Sequence, residues 1–242
     1  MKPGMRIFNA LCLAFIRFLG FFLVRLDSSE MVRLPRKGPW IIAMNHVNFL
    51  DGPLLLVKLF PRRVIVLAKK ETWKNPIVGF IASSIGSIPL DRSGDPAALR
   101  RVATALEEGG FLYINPEGTR NRSGVLGKGK AGVVSIALAT GAPVVPIGFT
   151  GLDSFGPSIR RLRRARVKLV LGEPFRVLPL PETGPREARS EAVDEIMYRI
   201  AALLPLDRRG QWSTPPSAFS RTETIAFPEA ATDDVLPIAI TR

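Results

Sequence analysis

Five short apolar runs, rich in β-branched and aromatic side chains, punctuate the chain at 40–44, 64–68, 111–114, 144–149 and 167–171. Each is too brief for a stable helix and is bounded by turn-forming residues, so each is read as a strand. Stretches with helical spacing alternate with them at 53–60, 95–108, 130–140 and 186–204. This alternation predicts an α/β fold, with helices packed on a mixed or parallel sheet in one domain over 30–212. A longer apolar segment at 7–26 precedes it, giving an N-terminal membrane-associating helix within 1–29. After Trp212 the Ser-Thr-Pro-Pro-Ser run opens a tail, 213–242, expected to be disordered and without chemistry.

The chemistry gathers where predicted strands end. Trp40-Ile41-Ile42-Ala43-Met44 delivers Asn45-His46-Val47-Asn48-Phe49-Leu50-Asp51, which holds the single histidine among 242 residues. Asp51-Gly52-Pro53 reads as the start of a helix, with Asp51 near its cap. His46 and Asp51 would diverge if both were helical, because a helix advances about 100° per residue, so a turn must bring them together. A carboxylate bonded to one ring nitrogen fixes the tautomer, stabilises the imidazolium and leaves the other nitrogen free as a base. The nucleophile would then be a hydroxyl carried by the substrate. Asp51 could equally be a helix cap, and the two roles are compatible.

A second polar loop, Asn115-Pro116-Glu117-Gly118-Thr119-Arg120-Asn121-Arg122-Ser123-Gly124, follows the strand candidate 111–114. Glycines that permit close backbone approach, hydroxyl groups and guanidinium groups suit a phosphate, although such a loop can also be an ordinary basic turn. Gly86 to Arg92 places another arginine after a short apolar run, and Val144-Val145-Pro146-Ile147 reads as a core strand.

In this order and spacing, the blocks resemble the glycerolipid acyltransferase family. Asn45-His46 to Asp51 fits its Asn-His-x-x-x-x-Asp box, and Pro116-Glu117-Gly118-Thr119-Arg120 fits its Phe-Pro-Glu-Gly-Thr-Arg box. Asn115 replaces the usual phenylalanine and Asn121 a common serine. Gly86 to Arg92, Val144 to Ile147, Lys70-Glu71, Lys130 and the Leu204-Pro205 to Arg209-Gly210 ending also correspond, so the resemblance covers about residues 30 to 212. It implies that His46 is the general base and Asp51 its partner. It further implies acceptor binding by Asn45, Arg92, Glu117, Gly118, Thr119, Arg120 and Lys130, with Glu117 holding Arg92, Arg120 or a glycerol hydroxyl. The implied reaction moves an acyl group from an acyl-CoA or acyl carrier protein thioester to a lysophospholipid, foremost 1-acyl-sn-glycerol-3-phosphate. Another lysolipid acceptor, such as a lyso-ornithine lipid or lipid-linked glycan, would use the same pair. A non-catalytic lipid-binding protein has no need of a base with an orienting carboxylate, and a hydrolase lacks its Gly-x-Ser-x-Gly elbow here.

Charge and composition then refine the setting. A net charge of +13 suits an anionic membrane or nucleic acid. Few aromatics accompany the Arg160–Arg166 cluster, which favours lipid headgroups over nucleic acid. Arg17 interrupts 7–26 near its middle, so the segment fits an interfacial helix, with Arg17 and Arg25 snorkelling, better than a spanning one. No small-x-small cleavage site follows it before Asp27. Cys12 alone allows neither an internal disulfide nor a Cys/His metal site, and no nucleotide fingerprint is present, so no bound cofactor is expected. The expected location is a bacterial inner membrane, with the active site on its cytoplasmic side.

Overall fold

In the computed structural model, the described residues are 3–76, 79, 82, 83, 87–90, 96–121 and 123–228. The chain runs α1 (Pro3–Leu23), β1 (Val24–Asp27), β2 (Trp40–Met44), α2 (Asp51–Leu59), β3 (Val64–Lys69) and β4 (Ile88–Leu90). It continues through α3 (Pro96–Glu107), β5 (Phe111–Ile114), α4 (Gly132–Thr140), β6 (Val144–Thr150), α5 (Phe155–Arg160) and β7 (Ala165–Leu171). It closes with β8 (Phe175–Val177), α6 (Pro185–Ala201) and β9 (Thr222–Thr224).

These strands form one mixed sheet in the order β1-β7-β6-β2-β5-β3-β4, with β8 pairing both β6 and β9. The stretch from β6 to β4 is parallel throughout, β7 runs antiparallel to β6, and β1 runs parallel to β7. Strand β2 is buried along its whole length, as a central parallel strand covered on both faces must be. Its side chains divide with period two. Ile41 and Ala43 join a core with Val102, Val133 and Ile196 from α3, α4 and α6, whereas Trp40, Ile42 and Met44 join one with Leu54, Leu55 and Leu59 from α2. The single-domain α/β reading thus holds, with helices on both faces.

Two expectations change. The helix expected at 7–26 ends at Leu23, because Val24–Asp27 pairs in register with Ala165–Lys168, and Arg25 therefore sits on a strand. Among the described residues, no helix is long and apolar enough to cross a membrane. The expected disordered tail is ordered up to residue 228: Glu195 on α6 accepts the backbone N–H groups of Ser220 and Arg221 and the Thr222 hydroxyl, which seats β9 against β8. The remainder, 229–242, lies outside the described residues.

Candidate active site

Strands β2, β5 and β6 are parallel and in register, so the loops that follow them leave from one edge of the sheet. The first is pinned to the end of β6 by two asparagines. Asn45 donates its amide to the Phe149 carbonyl at 2.9 Å and accepts the Phe149 N–H at 2.7 Å, while Asn48 donates to the Leu152 carbonyl at 3.1 Å. Asn45 is buried, and both ends of its amide are engaged, so it positions the loop. The resemblance implied a substrate-binding role for Asn45; the bonds to Phe149 are structural.

Within the loop, Asp51 Oδ2 lies 3.0 Å from His46 Nδ1 and accepts the Val47 and Asn48 N–H groups at 2.7 and 2.8 Å. All three partners precede α2, so the carboxylate organises the loop and does not cap the helix. A carboxylate offers only acceptors, which puts the proton on Nδ1 and leaves Nε2 as the basic nitrogen. The His46 side chain is 23% exposed and that of Asp51 0%: the base is accessible and its partner is not. Beneath them, burial raises the Tyr113 phenol above its ordinary value, and the Asp51 charge pushes the same way.

The second loop is wired to the first. Glu117 is buried, with Oε1 accepting the His46 N–H at 2.8 Å and Oε2 the Gly127 N–H at 2.9 Å, while the Asn121 N–H donates to the His46 carbonyl at 2.7 Å. Burial pushes the Glu117 carboxyl upward, against the lowering effect of those two N–H groups. Glu117 therefore buckles the loops together and makes no ion pair with Arg120. Arg92, its other expected partner, lies outside the described residues.

The next three residues, Gly118 to Arg120, face solvent. Gly118 has a φ of 65°, and an added Cβ would stand 3.0 Å from Lys130 Nζ, so the ammonium lies across the glycine. Thr119 and Arg120 are exposed beside it. These residues can meet an anionic oxygen cluster with two cations, a hydroxyl and a backbone open to close approach.

Several supports were not legible beforehand. Asn115 bonds the Met44 carbonyl at 2.9 Å, and the Asn121 side chain closes its own turn on Ser123 and Val125. Asparagine's habit of bonding nearby backbone was the available signal. In the Leu204 to Gly210 block, Arg209 bonds the carbonyls of Leu204 and Ala202 at the end of α6, and Trp212 Nε1 donates to the Gly127 carbonyl at 2.9 Å. Together with the Arg208 carbonyl, which accepts the Leu126 N–H at 2.8 Å, Trp212 braces the loop held by Glu117.

Fold and site together place an accessible imidazole on a buried carboxylate, beside a loop that exposes a cation, a hydroxyl and an open glycine at one edge of the sheet. A family model described as Acyltransferase matches residues 25–150, and the chain belongs to that family. The chain is 29% identical over 171 residues to the 1-acyl-sn-glycerol-3-phosphate acyltransferase of Bacillus subtilis, covering 70% of this chain and 83% of that one. A chloroplastic enzyme of the same name from Brassica napus is 32% identical over 156 residues, covering 62% of this chain and 44% of the relative. Among solved structures, the 1-acyl-sn-glycerophosphate (LPA) acyltransferase PlsC from Thermotoga maritima is similar with a TM-score of 0.51 and 27% identity, covering 75% of this chain and 76% of that one.

Proposed function

We propose that this chain transfers a fatty acyl group from a thioester, acyl-CoA or acyl carrier protein, to the free hydroxyl of 1-acyl-sn-glycerol-3-phosphate, giving phosphatidic acid. The observation that carries this reading is the 3.0 Å contact of accessible His46 with buried Asp51, in a chain of the acyltransferase family. The printed names of the relatives support the choice of acceptor. His46 Nε2 takes the proton of the acceptor hydroxyl as its oxygen attacks the thioester carbonyl carbon. The tetrahedral intermediate collapses, the C–S bond breaks, and the imidazolium returns the proton to the departing thiolate. Asp51 keeps Nδ1–H in place and stabilises the imidazolium. Lys130 and Arg120, with Gly118 and Thr119, receive the acceptor's phosphate, and Arg92 joins them. The enzyme works at a membrane surface, on the cytoplasmic side of a bacterial inner membrane. The exposed phenylalanines of α1 support an interfacial placement.

The test is transfer of a labelled acyl group from each donor to lysophosphatidic acid in detergent micelles, with His46→Ala alongside. Phosphatidic acid should form with the native chain and fall about 10²- to 10⁴-fold in the variant. The His46 N–H and C=O bonds to Glu117 and Asn121 do not involve its side chain, so the variant should keep its fold. A fully active His46→Ala protein would refute the mechanism.

A further inference from the structure

Leu162 occupies a position that its residue type does not favour. Helix α5 ends in a Schellman arrangement: Arg163 N–H bonds the Ser158 carbonyl and Leu162 N–H the Ile159 carbonyl, both at 2.9 Å. That closure needs a left-handed residue, usually glycine, at the site of Leu162. Its φ is 52°, the one positive φ among the described non-glycine residues, and its side chain is 97% exposed. The chain thus holds a large apolar group in a strained conformation and in water, flanked by Arg160, Arg161, Arg163 and Arg164.

The turn is also joined to α1. Arg164 donates to the Val24 carbonyl at 2.9 Å, just past the end of α1, and its guanidinium stands 5.1 Å from the centre of the Phe21 ring. Between α1, α2 and this turn lies a groove of about 2010 Å³, lined in part by Arg17, Phe21, Lys58, Arg161, Arg163 and Arg164. Eight basic residues and one carboxylate, Asp27, line it, so it is strongly positive and complementary to an anionic surface. The sheet register fixes its place: Lys168 pairs with Thr150 at the end of β6, and Ala165 lies three residues further out. The turn therefore projects from the same sheet edge as the His46 loop.

We propose that the Arg160–Arg164 turn docks on an anionic phospholipid bilayer and buries Leu162 in it, making one lipid-facing surface with α1 beside the active edge. The proposal rests on the reading that the substrates are lipids. Exposed Phe15, Phe18, Phe21 and Phe22 on α1 give the apolar half of that surface. An acidic protein or a nucleic acid would answer the arginines, but would leave these side chains and Leu162 in water.

The experiment compares the full chain with Leu162→Gly and with Arg161→Glu/Arg163→Glu, for binding to phosphatidylcholine vesicles with and without phosphatidylglycerol. Glycine relieves the backbone strain, so Leu162→Gly should melt no lower than the native chain while its affinity for anionic vesicles falls roughly tenfold. The charge-reversed variant should lose its preference for anionic over neutral vesicles. Transfer in micelles should persist in both variants. Native-like vesicle binding by Leu162→Gly would overturn the proposal. So would native-like binding by both variants together with weakened transfer from acyl carrier protein, which would assign the turn to the donor. A native chain that binds vesicles through Leu162 but transfers nothing in micelles would refute the proposed reaction and leave this surface standing.

Discussion

Replacing Asp51 by asparagine isolates the carboxylate's charge from its shape. Oδ2 accepts two backbone N–H groups as well as His46 Nδ1–H, so an asparagine amide must keep its oxygen there; turning its NH₂ inward would oppose three donors at once. The imidazole then keeps its orientation and tautomer and loses only the negative charge. At 3.0 Å, a unit-charge attraction in an effective dielectric of about 20 is worth roughly 5 kcal/mol. Halving it for a partly solvated imidazole leaves about 2–3 kcal/mol, or about 30- to 150-fold in kcat. The amide NH₂ replaces Oδ1, which is buried and has no hydrogen-bond partner among the described residues, so stability should fall by at most about 1–3 kcal/mol. Thiol release from acyl-CoA in micelles reads the rate, and thermal melting by circular dichroism reads the fold. Activity within about threefold of the native rate would show that the charge does not act on the imidazolium. A folded variant as inactive as His46→Ala would show that the amide turns and the tautomer is lost.

Asn45→Ala strands the buried N–H and C=O of Phe149 and should destabilise the fold by about 2–4 kcal/mol in urea unfolding. An unchanged unfolding midpoint would return Asn45 to the acceptor site. Arg120→Ala and Lys130→Ala should each raise KM for lysophosphatidic acid about 10- to 100-fold with kcat nearly constant, since both are assigned to a phosphate that does not change charge in the reaction. A loss confined to kcat would contradict that assignment. Burial holds the Glu117 carboxyl above its unfolded value of 4.5, so the folded chain takes up a proton before the unfolded one does. Its penalty is therefore full above the folded pKa and is relieved as pH falls through that value toward 4.5. Urea unfolding across this range should show the native chain gaining stability relative to Glu117→Gln on acidification, and the opposite slope would place the carboxyl below its ordinary value.

What could be read from the chain follows from how far apart the partners lie. The expected strand at 40–44 coincides with β2 and that at 111–114 with β5, because a central strand covered on both faces carries its own apolar signal. Strands β1, β8 and β9, with sequences VRLD, FRV and TET, carry none: their neighbours in the sheet make them strands. The His46–Asp51 pair was legible because both side chains hang from one loop, five positions apart. The structural bonds of Asn45 and Glu117 were not legible, for the converse reason. Their partners stand 104 and 71 positions away, and composition shows only a polar residue in a polar loop. The resemblance pointed to these residues, but could not say which way their side chains turn.

The direction of those side chains decides what the site can do. Glu117 and Asn121 join the loops through the backbone of His46, and Asn45 and Asn48 join the first loop to the backbone at the end of β6 and just beyond it. None of these links uses the imidazole or the groups exposed around Gly118. The imidazole, bonded only to Asp51 among the described residues, and the side chains around Gly118 thus stay out of this framework, while the peptide units that carry them are held to one another and to the sheet. An acceptor bound by its phosphate at Arg120 and Lys130 would meet the base at a separation set by this frame, and fixing such a separation in advance removes much of the entropic cost of the encounter. Trp212, which donates to the Gly127 carbonyl, and Arg208, whose carbonyl accepts the Leu126 N–H, lie well past the family's matched segment and steady the same loop. The C-terminal segment therefore holds Gly127, and through it Glu117, which in turn holds the backbone of His46.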